Sequence, residues 1–441
     1  MSVTDASDPS GARTSGAGLL EDLRARGLLH DHTDLDALVG RLDAGPTPVY
    51  CGFDPTADSL HIGNLQSIML LRRFQMAGHP PIALVGGATG MIGDPSGRTS
   101  ERTFLDGDVL DSNGAAIGAQ LARFLDPDGP TGVTVVDNRT WTEPLGVLEF
   151  LRDVGKHVTV NVMLAKDSVR SRLDRESGIS FTEFSYMLLQ ANDFAHLHAE
   201  HGCDLQVAGS DQWGNITAGV DLVRRRSGDM VHGLTAPLIV RADGSKFGKS
   251  EGENLWLDAD RTSPYRLYQY LLNVADVDIE ALLLRLTTVP VGECRAVAEA
   301  HAATPERREG QRALARAVTG LVHGADVLDG VEEAAAVLFG DRPIAEVSAP
   351  TLELLSQEMP STVLARSEVV DADPLDLLAR PDVGLARSKG DARRNLTGYS
   401  VNQVRLSERD GAVVSDADLL HGRFVLLSRG RRSHHLIVLA G

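Results

Sequence analysis

The chain has 441 residues, 42% of them hydrophobic and 24% charged, with a formal net charge of −18. That length supports two or three domains with real cores, while the lack of a run of about 18 apolar residues argues against a membrane span. So acidic a balance argues against a protein that coats nucleic acid non-specifically, and three widely spaced cysteines, Cys51, Cys203 and Cys294, suit a reducing cytoplasm and no structural zinc.

Residues 1 to 18 are mostly Ser, Thr, Gly, Ala and Asp and read as a disordered leader, with folded structure expected from Leu19 and a helical stretch from Gly18 to Leu42. Val49 to Phe53 is an apolar run that breaks at Asp54-Pro55. Apolar residues then recur at Leu65, Ile68, Met69 and Met76 before Gly78 supplies a stop. This is a strand, a loop and a helix start, and His61, Gly63 and Asn64 fall in the first helical turn. Free N–H groups and the positive dipole end make such a turn a phosphate site, which Gly63 leaves approachable. The plainer alternative is a crossover whose histidine only caps or packs.

Pro81 to Val85 is a second apolar strand, running into Gly86-Gly87-Ala88-Thr89-Gly90-Met91-Ile92-Gly93-Asp94-Pro95-Ser96-Gly97. Glycines at the carboxyl end of a buried strand form the ligand crevice of an open parallel sheet, although the pattern is not the dinucleotide-binding GxGxxG. Asp94 either meets a substrate ammonium group or makes an Asp-Pro turn. Arg98 and Arg102 either meet phosphates or form a solvated face. Val133 to Val136 is a third strand ending at Asp137-Asn138, and a long helical region follows from about Pro144 to Glu200. Within it Tyr186, Gln190 and Asp193 share one helix face, which is costly to bury unless something polar is bound there.

Leu205 to Ala208 is a fourth strand, followed by Gly209-Ser210-Asp211-Gln212-Trp213-Gly214-Asn215. A fifth, Leu238 to Val240, leads to Ser245-Lys246-Phe247-Gly248-Lys249-Ser250. Two lysines around a glycine make a cationic loop able to cover a triphosphate. From Ser263 to about Arg342 the pattern is helical, clearest where Thr304 is expected as N-cap, Pro305 as the first helical residue and Gly324 as the stop. From Ala386 onward ten Arg or Lys face five Asp or Glu, so this region carries +5 and the remainder −23. Such asymmetry fits an RNA-binding appendage or a merely soluble small domain.

Taken together, these stretches resemble the class I aminoacyl-tRNA synthetases, and among them the bacterial tyrosyl type. His61-Ile62-Gly63-Asn64 resembles the family's HIGH signature and Lys246-Phe247-Gly248-Lys249-Ser250 its KMSKS signature. Tyr50 to Asn64, Gly86 to Gly97, Phe181 to Asp193 and Gly209 to Asn215 also match in order, and the resemblance covers residues 19 to 441. It implies a two-step reaction, in which L-tyrosine attacks the α-phosphate of ATP to give tyrosyl-adenylate and pyrophosphate, and the tyrosyl group then passes to the 3′ end of tRNA(Tyr).

By the same resemblance, Thr56, His61 and Asn64 contact the ATP phosphates, and Lys246 and Lys249 stabilise the transition state. Arg98 and Arg102 assist pyrophosphate. Cys51, Gly52, Asp54, Gly63 and Asp211 lie along the nucleotide, Asp94, Tyr186 and Gln190 hold the tyrosine ammonium, and Gln212 lies near its carboxylate. Tyr50 and Asp193 bond the phenol hydroxyl with Asn138 nearby, an arrangement able to reject phenylalanine by about 10⁴ to 10⁵ without an editing domain. Asn64 in place of the last signature histidine still carries an amide donor. Asn192 and Ala208, where the pattern has an aromatic residue and a glycine, are expected to alter tyrosine affinity slightly.

The implied fold is a Rossmann-like parallel-sheet catalytic domain (19–262), an α-helical anticodon-binding domain (263–348), a linker (349–374) and a small α+β S4-like RNA-binding domain (375–441). In the last, Arg387, Lys389, Arg393 and Arg394 are assigned to RNA. Mg²⁺ accompanies ATP with no dedicated protein ligand, and the family implies a cytoplasmic homodimer. Three other readings compete: a tryptophan-type synthetase, a synthetase-like RNA-binding protein without catalysis, and a nucleotidyltransferase outside translation.

Overall fold

The computed structural model describes residues 13–96, 105–166, 169–170, 173, 178–242, 244–245, 247–250, 253–339, 342–409, 411–430 and 433–440. The chain divides into two compact units. One comprises residues 1–262 with 272–318, the other residues 263–271 with 319–441.

The first unit is built on a five-stranded sheet of β1 (Val49–Phe53), β2 (Pro81–Val85), β3 (Thr134–Asp137), β4 (Leu205–Gly209) and β5 (His232–Ala236), in the order β3-β2-β1-β4-β5. All four pairings are parallel, with Tyr50 opposite Ile82 on one side and Gln206 on the other. Every residue of β2 and β5 is buried, as expected of strands covered on both faces. The chain winds outward from β1 through β2 and β3, then returns to the other side of β1 with β4. That reversal opens a crevice at the carboxyl ends of β1 and β4.

Two strands differ from expectation. The third is shifted by one residue to Thr134–Asp137. The fifth is His232–Ala236 rather than Leu238–Val240. His, Gly and Thr in a five-residue strand hide the apolar signal, yet the strand buries them because their polar groups are satisfied. Thr235 Oγ1 accepts from Asp31 N at 2.9 Å, and the Thr33 hydroxyl meets His232 Nδ1 at 3.4 Å.

Residues 1–12 of the expected leader lie outside the described residues; the helix Gly16–Ala25, capped by the Ser15 side chain, starts three residues ahead of Leu19, and a second helix spans Leu35–Ala44. The glycine-rich stretch after β2 is not all loop, since Gly87–Ile92 forms a short helix that ends at Gly93 with φ 85°. The 21-residue helix Phe181–His201 is capped by Ser180 at its start and by left-handed Gly202 at its end. Beyond the sheet come the helices Ile279–Leu286 and Val291–Ala303. At the expected Thr304 cap, Pro305 opens only a 3₁₀ turn. The helix proper starts at Glu309 and stops before Gly324, whose φ is 92°.

The second unit carries a five-stranded sheet in the order Val404–Arg405, Tyr399–Val401, Phe424–Arg429, Ser433–Leu439, Ser361–Leu364. Its core includes Leu378, Val401, Val425, Leu427 and Ile437. The basic segment forms a six-residue helix, Lys389–Arg394, capped by Ser388. The stretch 349–374 contains a helix, Ala349–Glu358, and the strand Ser361–Leu364, which pairs in parallel with Ser433–Leu439. Among the described residues no helix is long and apolar enough to cross a membrane.

Candidate active site

A cleft of about 1080 Å³ opens at the carboxyl ends of β1 and β4. All the residues assigned to tyrosine, nucleotide or phosphate that lie within the described residues line it, except Asn138, which sits behind its wall. Arg98, Arg102 and Lys246 lie outside the described residues.

His61 is the N-cap of the helix Ile62–Met76 and is held by a reciprocal box. Its Nδ1 accepts from Gly63 N at 3.1 Å, and Asn64 Oδ1 accepts from His61 N at 3.0 Å. Both side chains are thereby oriented by their acceptor atoms. His61 is left with its proton on Nε2 and Asn64 with its NH₂ as donors. Burial lowers the His61 pKa, and the nearby Lys249 adds to the effect, so the ring is a neutral donor. Gly63 is required by the same arrangement, because a methyl there would stand 2.8 Å from His61 Cε1.

The Phe181–His201 helix brings Tyr186, Gln190 and Asp193 to the cleft, as their spacing predicts. Tyr186 OH donates to Asp54 Oδ2 at 3.1 Å, and Thr89 Oγ1 donates to Asp54 Oδ1 at 2.9 Å. Gln212 Nε2 donates to Asp94 Oδ2 at 2.6 Å, and Asn215 Nδ2 bridges Gln190 Oε1 at 3.1 Å and Gln212 Oε1 at 3.0 Å. Asp94 also accepts from Ser96 N at 2.9 Å through Oδ1, so it does make the turn. One oxygen makes the turn and the other faces the polar cluster.

Deepest lies Asp193, 1% exposed. Its Oδ2 accepts from Asn138 Nδ2 at 2.9 Å and its Oδ1 from Trp141 Nε1 at 2.8 Å. Burial pushes its carboxyl up to about 7 against the pull of those two donors. Beside it Tyr50, also 1% exposed, has a hydroxyl without a hydrogen-bond partner. Burial, then the Asp193 charge, raises that phenol well above its ordinary value. Such an orphan is costly, and a bound group that pairs with it removes the cost. Cys51 is pushed up to about 12 by burial and by Asp211, so it is a thiol and not a nucleophile.

The pattern of the sequence did not single out Trp141, Thr89, Asn215 or Trp256. Trp141 follows Asn138 by three residues across the short helix Arg139–Thr142, a spacing that puts both on Asp193 and was the available signal. Trp256 stands edge-on to His61, with the Arg261 guanidinium 3.8 Å over its ring. Of the two departures, Asn192 is bonded by Arg226 at 3.2 Å, and Ala208 lines the cleft. In the second unit Arg387, Arg393 and Arg394 are exposed, Arg394 standing 3.8 Å from Asp391, and Lys389 is paired with Asp373 at 2.9 Å and Asp376 at 2.7 Å.

A parallel sheet with its cleft at the switch point, a helix start capped by His61 and a lysine-bearing loop form the frame of a nucleotide-binding α/β enzyme. The profile of the family described as tRNA synthetases class I (W and Y) matches residues 42–340. A tyrosine–tRNA ligase of Anaeromyxobacter dehalogenans is 50% identical over 421 residues, covering 95% of this chain and 99% of the relative. One of Mycobacterium tuberculosis is 48% identical over 420 residues, covering 94% and 97%. A solved C-terminally truncated mitochondrial tyrosyl-tRNA synthetase of Aspergillus nidulans superposes with a TM-score of 0.67 at 33% identity, over 75% of this chain and 96% of that one. The chain belongs to the class I tRNA synthetases and, within them, to the bacterial tyrosyl-tRNA synthetases.

Proposed function

We propose how the residues of the cleft divide the work of tyrosine–tRNA ligation. The reaction is that of the family: L-tyrosine and ATP give tyrosyl-adenylate and pyrophosphate, and the tyrosyl group passes to the 3′ end of tRNA(Tyr). A tyrosine carboxylate oxygen forms the bond to the α-phosphorus while the bond to the bridging oxygen of pyrophosphate breaks. No protein nucleophile is needed, so the protein contributes position and charge.

Tyr50 and Asp193 take the phenol hydroxyl, with Asn138 and Trp141 holding the carboxylate. Asp94, Tyr186 and Gln190 take the ammonium, with Gln212 by the carboxyl group. Cys51, Gly52, Asp54, Gly63 and Asp211 flank the nucleotide, while Thr56, His61, Asn64 and Lys249 meet its phosphates, joined by Lys246, Arg98 and Arg102. The observation that carries the tyrosine assignment is the orphaned Tyr50 hydroxyl beside a buried carboxylate. A phenol satisfies both, and neither an indole nor phenylalanine does.

Mg²⁺ enters with ATP on its phosphate oxygens. His61, Asn64 and Lys249 supply donors there, which suits phosphate oxygens rather than a cation. Residues 375–441 act as an S4-like RNA-binding domain through Arg387, Arg393 and Arg394, with Lys389 engaged by its acidic partners, and residues 263–348 serve the anticodon. A second copy covers the exposed apolar side chains of the first unit, among them Val147 at 74%, Leu148 at 82% and Phe181 at 77% exposure, giving a homodimer. Three buried free cysteines suit residence in the cytoplasm.

The test is pyrophosphate exchange into ATP with each of the twenty amino acids in turn and no tRNA. Exchange with tyrosine alone is expected. Exchange with tryptophan would overturn the pocket assignment, and none with any amino acid would overturn the activation step.

A further inference from the structure

The helix Ile62–Met76 does more than present His61 and Asn64, for it grips both roots of the loop that carries Lys249. Downstream, Ile62 N donates to Leu255 O at 2.8 Å, Leu257 N donates to Leu60 O at 2.8 Å, and His61 bridges to Trp256 in antiparallel fashion. Upstream, Gln66 Nε2 donates to Pro237 O at 2.8 Å. A carbonyl can only accept, so the nitrogen is the end that faces it. Gln66 is 4% exposed and its Oε1 is buried without a partner, so the donor holds the side chain in place.

Pro237 directly follows β5 and opens the stretch 238–240, which forms one wall of the cleft. From there the backbone is wired onward to the lysine. Arg241 N donates to Ser245 O at 2.9 Å, and Arg241 Nη2 donates to Lys249 O at 3.0 Å. Gly248, at φ 86°, lies so close to Ile62 that a side chain there would strike Ile62 Cγ2.

We propose that Gln66 is a positioning residue for the ATP-dependent step, touching neither substrate. Its amide fixes the upstream root, so that the wall at 238–240 and Lys249 stand at the height the nucleotide requires. This rests on the assignment of Lys249 to the phosphates.

The test is pyrophosphate exchange by the full-length protein carrying Gln66→Met, which keeps the length and removes the donor. A neutral hydrogen bond contributes roughly 1 kcal/mol, so kcat/KM for ATP should fall about fivefold. The dissociation constant for tyrosine, measured without ATP, should stay within about twofold. Gln66→Glu, which turns an acceptor toward the carbonyl, should be worse than Gln66→Met. Gln66→Asn, one methylene too short to reach, must give the same split if Gln66→Met does not fold. Unchanged ATP parameters, or tyrosine affinity falling in parallel, would overturn the proposal. Lys249→Ala separates the two ideas: if exchange survives it, the phosphate assignment fails. If exchange collapses there but Gln66→Met is unaffected, only the role of Gln66 fails.

Discussion

Tyrosine binding should tighten about tenfold when the pH is raised from 6 to 8 if Asp193 receives the phenol, because that carboxyl titrates in this window. The Asp193 carboxyl is pushed up to about 7 by burial, with Asn138 and Trp141 donating to it. In the empty protein the carboxylate form therefore rises from roughly a tenth of molecules at pH 6 to roughly nine tenths at pH 8. A phenol hydroxyl donates to the ionised form and supplies a third hydrogen bond, so binding selects the carboxylate and releases the proton. The neighbouring Tyr50 phenol, raised well above its ordinary value, stays protonated throughout. The assay is equilibrium dialysis of labelled tyrosine from pH 5.5 to 8.5 with no ATP, which keeps His61 and the phosphates out of the measurement. Affinity should climb tenfold per pH unit well below 7 and level off above it. Phenylalanine, with no hydroxyl to donate, should show no such climb, and Asp193→Asn should bind tyrosine weakly and without pH dependence. Affinity that is flat between pH 6 and 8, or that weakens as pH rises, would refute the reasoning.

Lys249→Ala should slow adenylate formation in a single-turnover assay by about 10²-fold while leaving tyrosine affinity within about twofold if the loop acts on developing phosphate charge as proposed. Leu148→Asp, which places a charge on a side chain 82% exposed among apolar neighbours, should shift the protein to half its mass in light scattering if a second copy covers that face. The double change Arg393→Ala with Arg394→Ala should leave tyrosine-dependent exchange intact but raise KM for tRNA. It should also flatten the logarithmic salt dependence of tRNA binding by about 1 to 2, as expected for lost phosphate contacts. Trp141→Phe removes one donor to a buried charge, worth roughly 1.5–3 kcal/mol, so tyrosine affinity at pH 7 should fall by at least about tenfold. The midpoint of its pH dependence should also move upward.

What could be read from the sequence follows a physical division. Strands buried on both faces announce themselves as apolar runs, so β1 and β2 were legible to the residue. β5 was not, because its polar residues are bonded by Asp31 and Thr33, far away in the chain. The apolar run at 238–240 looked like a strand because lining a cleft and filling a core both select hydrophobic side chains. The same limit applies to the candidate site. Tyr186, Gln190 and Asp193 stood out because three polar residues on one face of a helix flanked by apolar ones need a reason, and local spacing expresses it. Residues that orient others carry no such mark. Trp141 reads as a core aromatic until its indole N–H is found on Asp193, and Gln66 as a helix-surface amide until its partner proves to be Pro237, 171 residues away. Asp94 reads as a turn and is one, yet its second oxygen belongs to the cleft. The sequence could show the groups that line the cleft, and the structure adds the groups that hold those groups. That is why the predictions that go furthest beyond the family, at Trp141 and Gln66, concern residues with no chemistry of their own in the reaction.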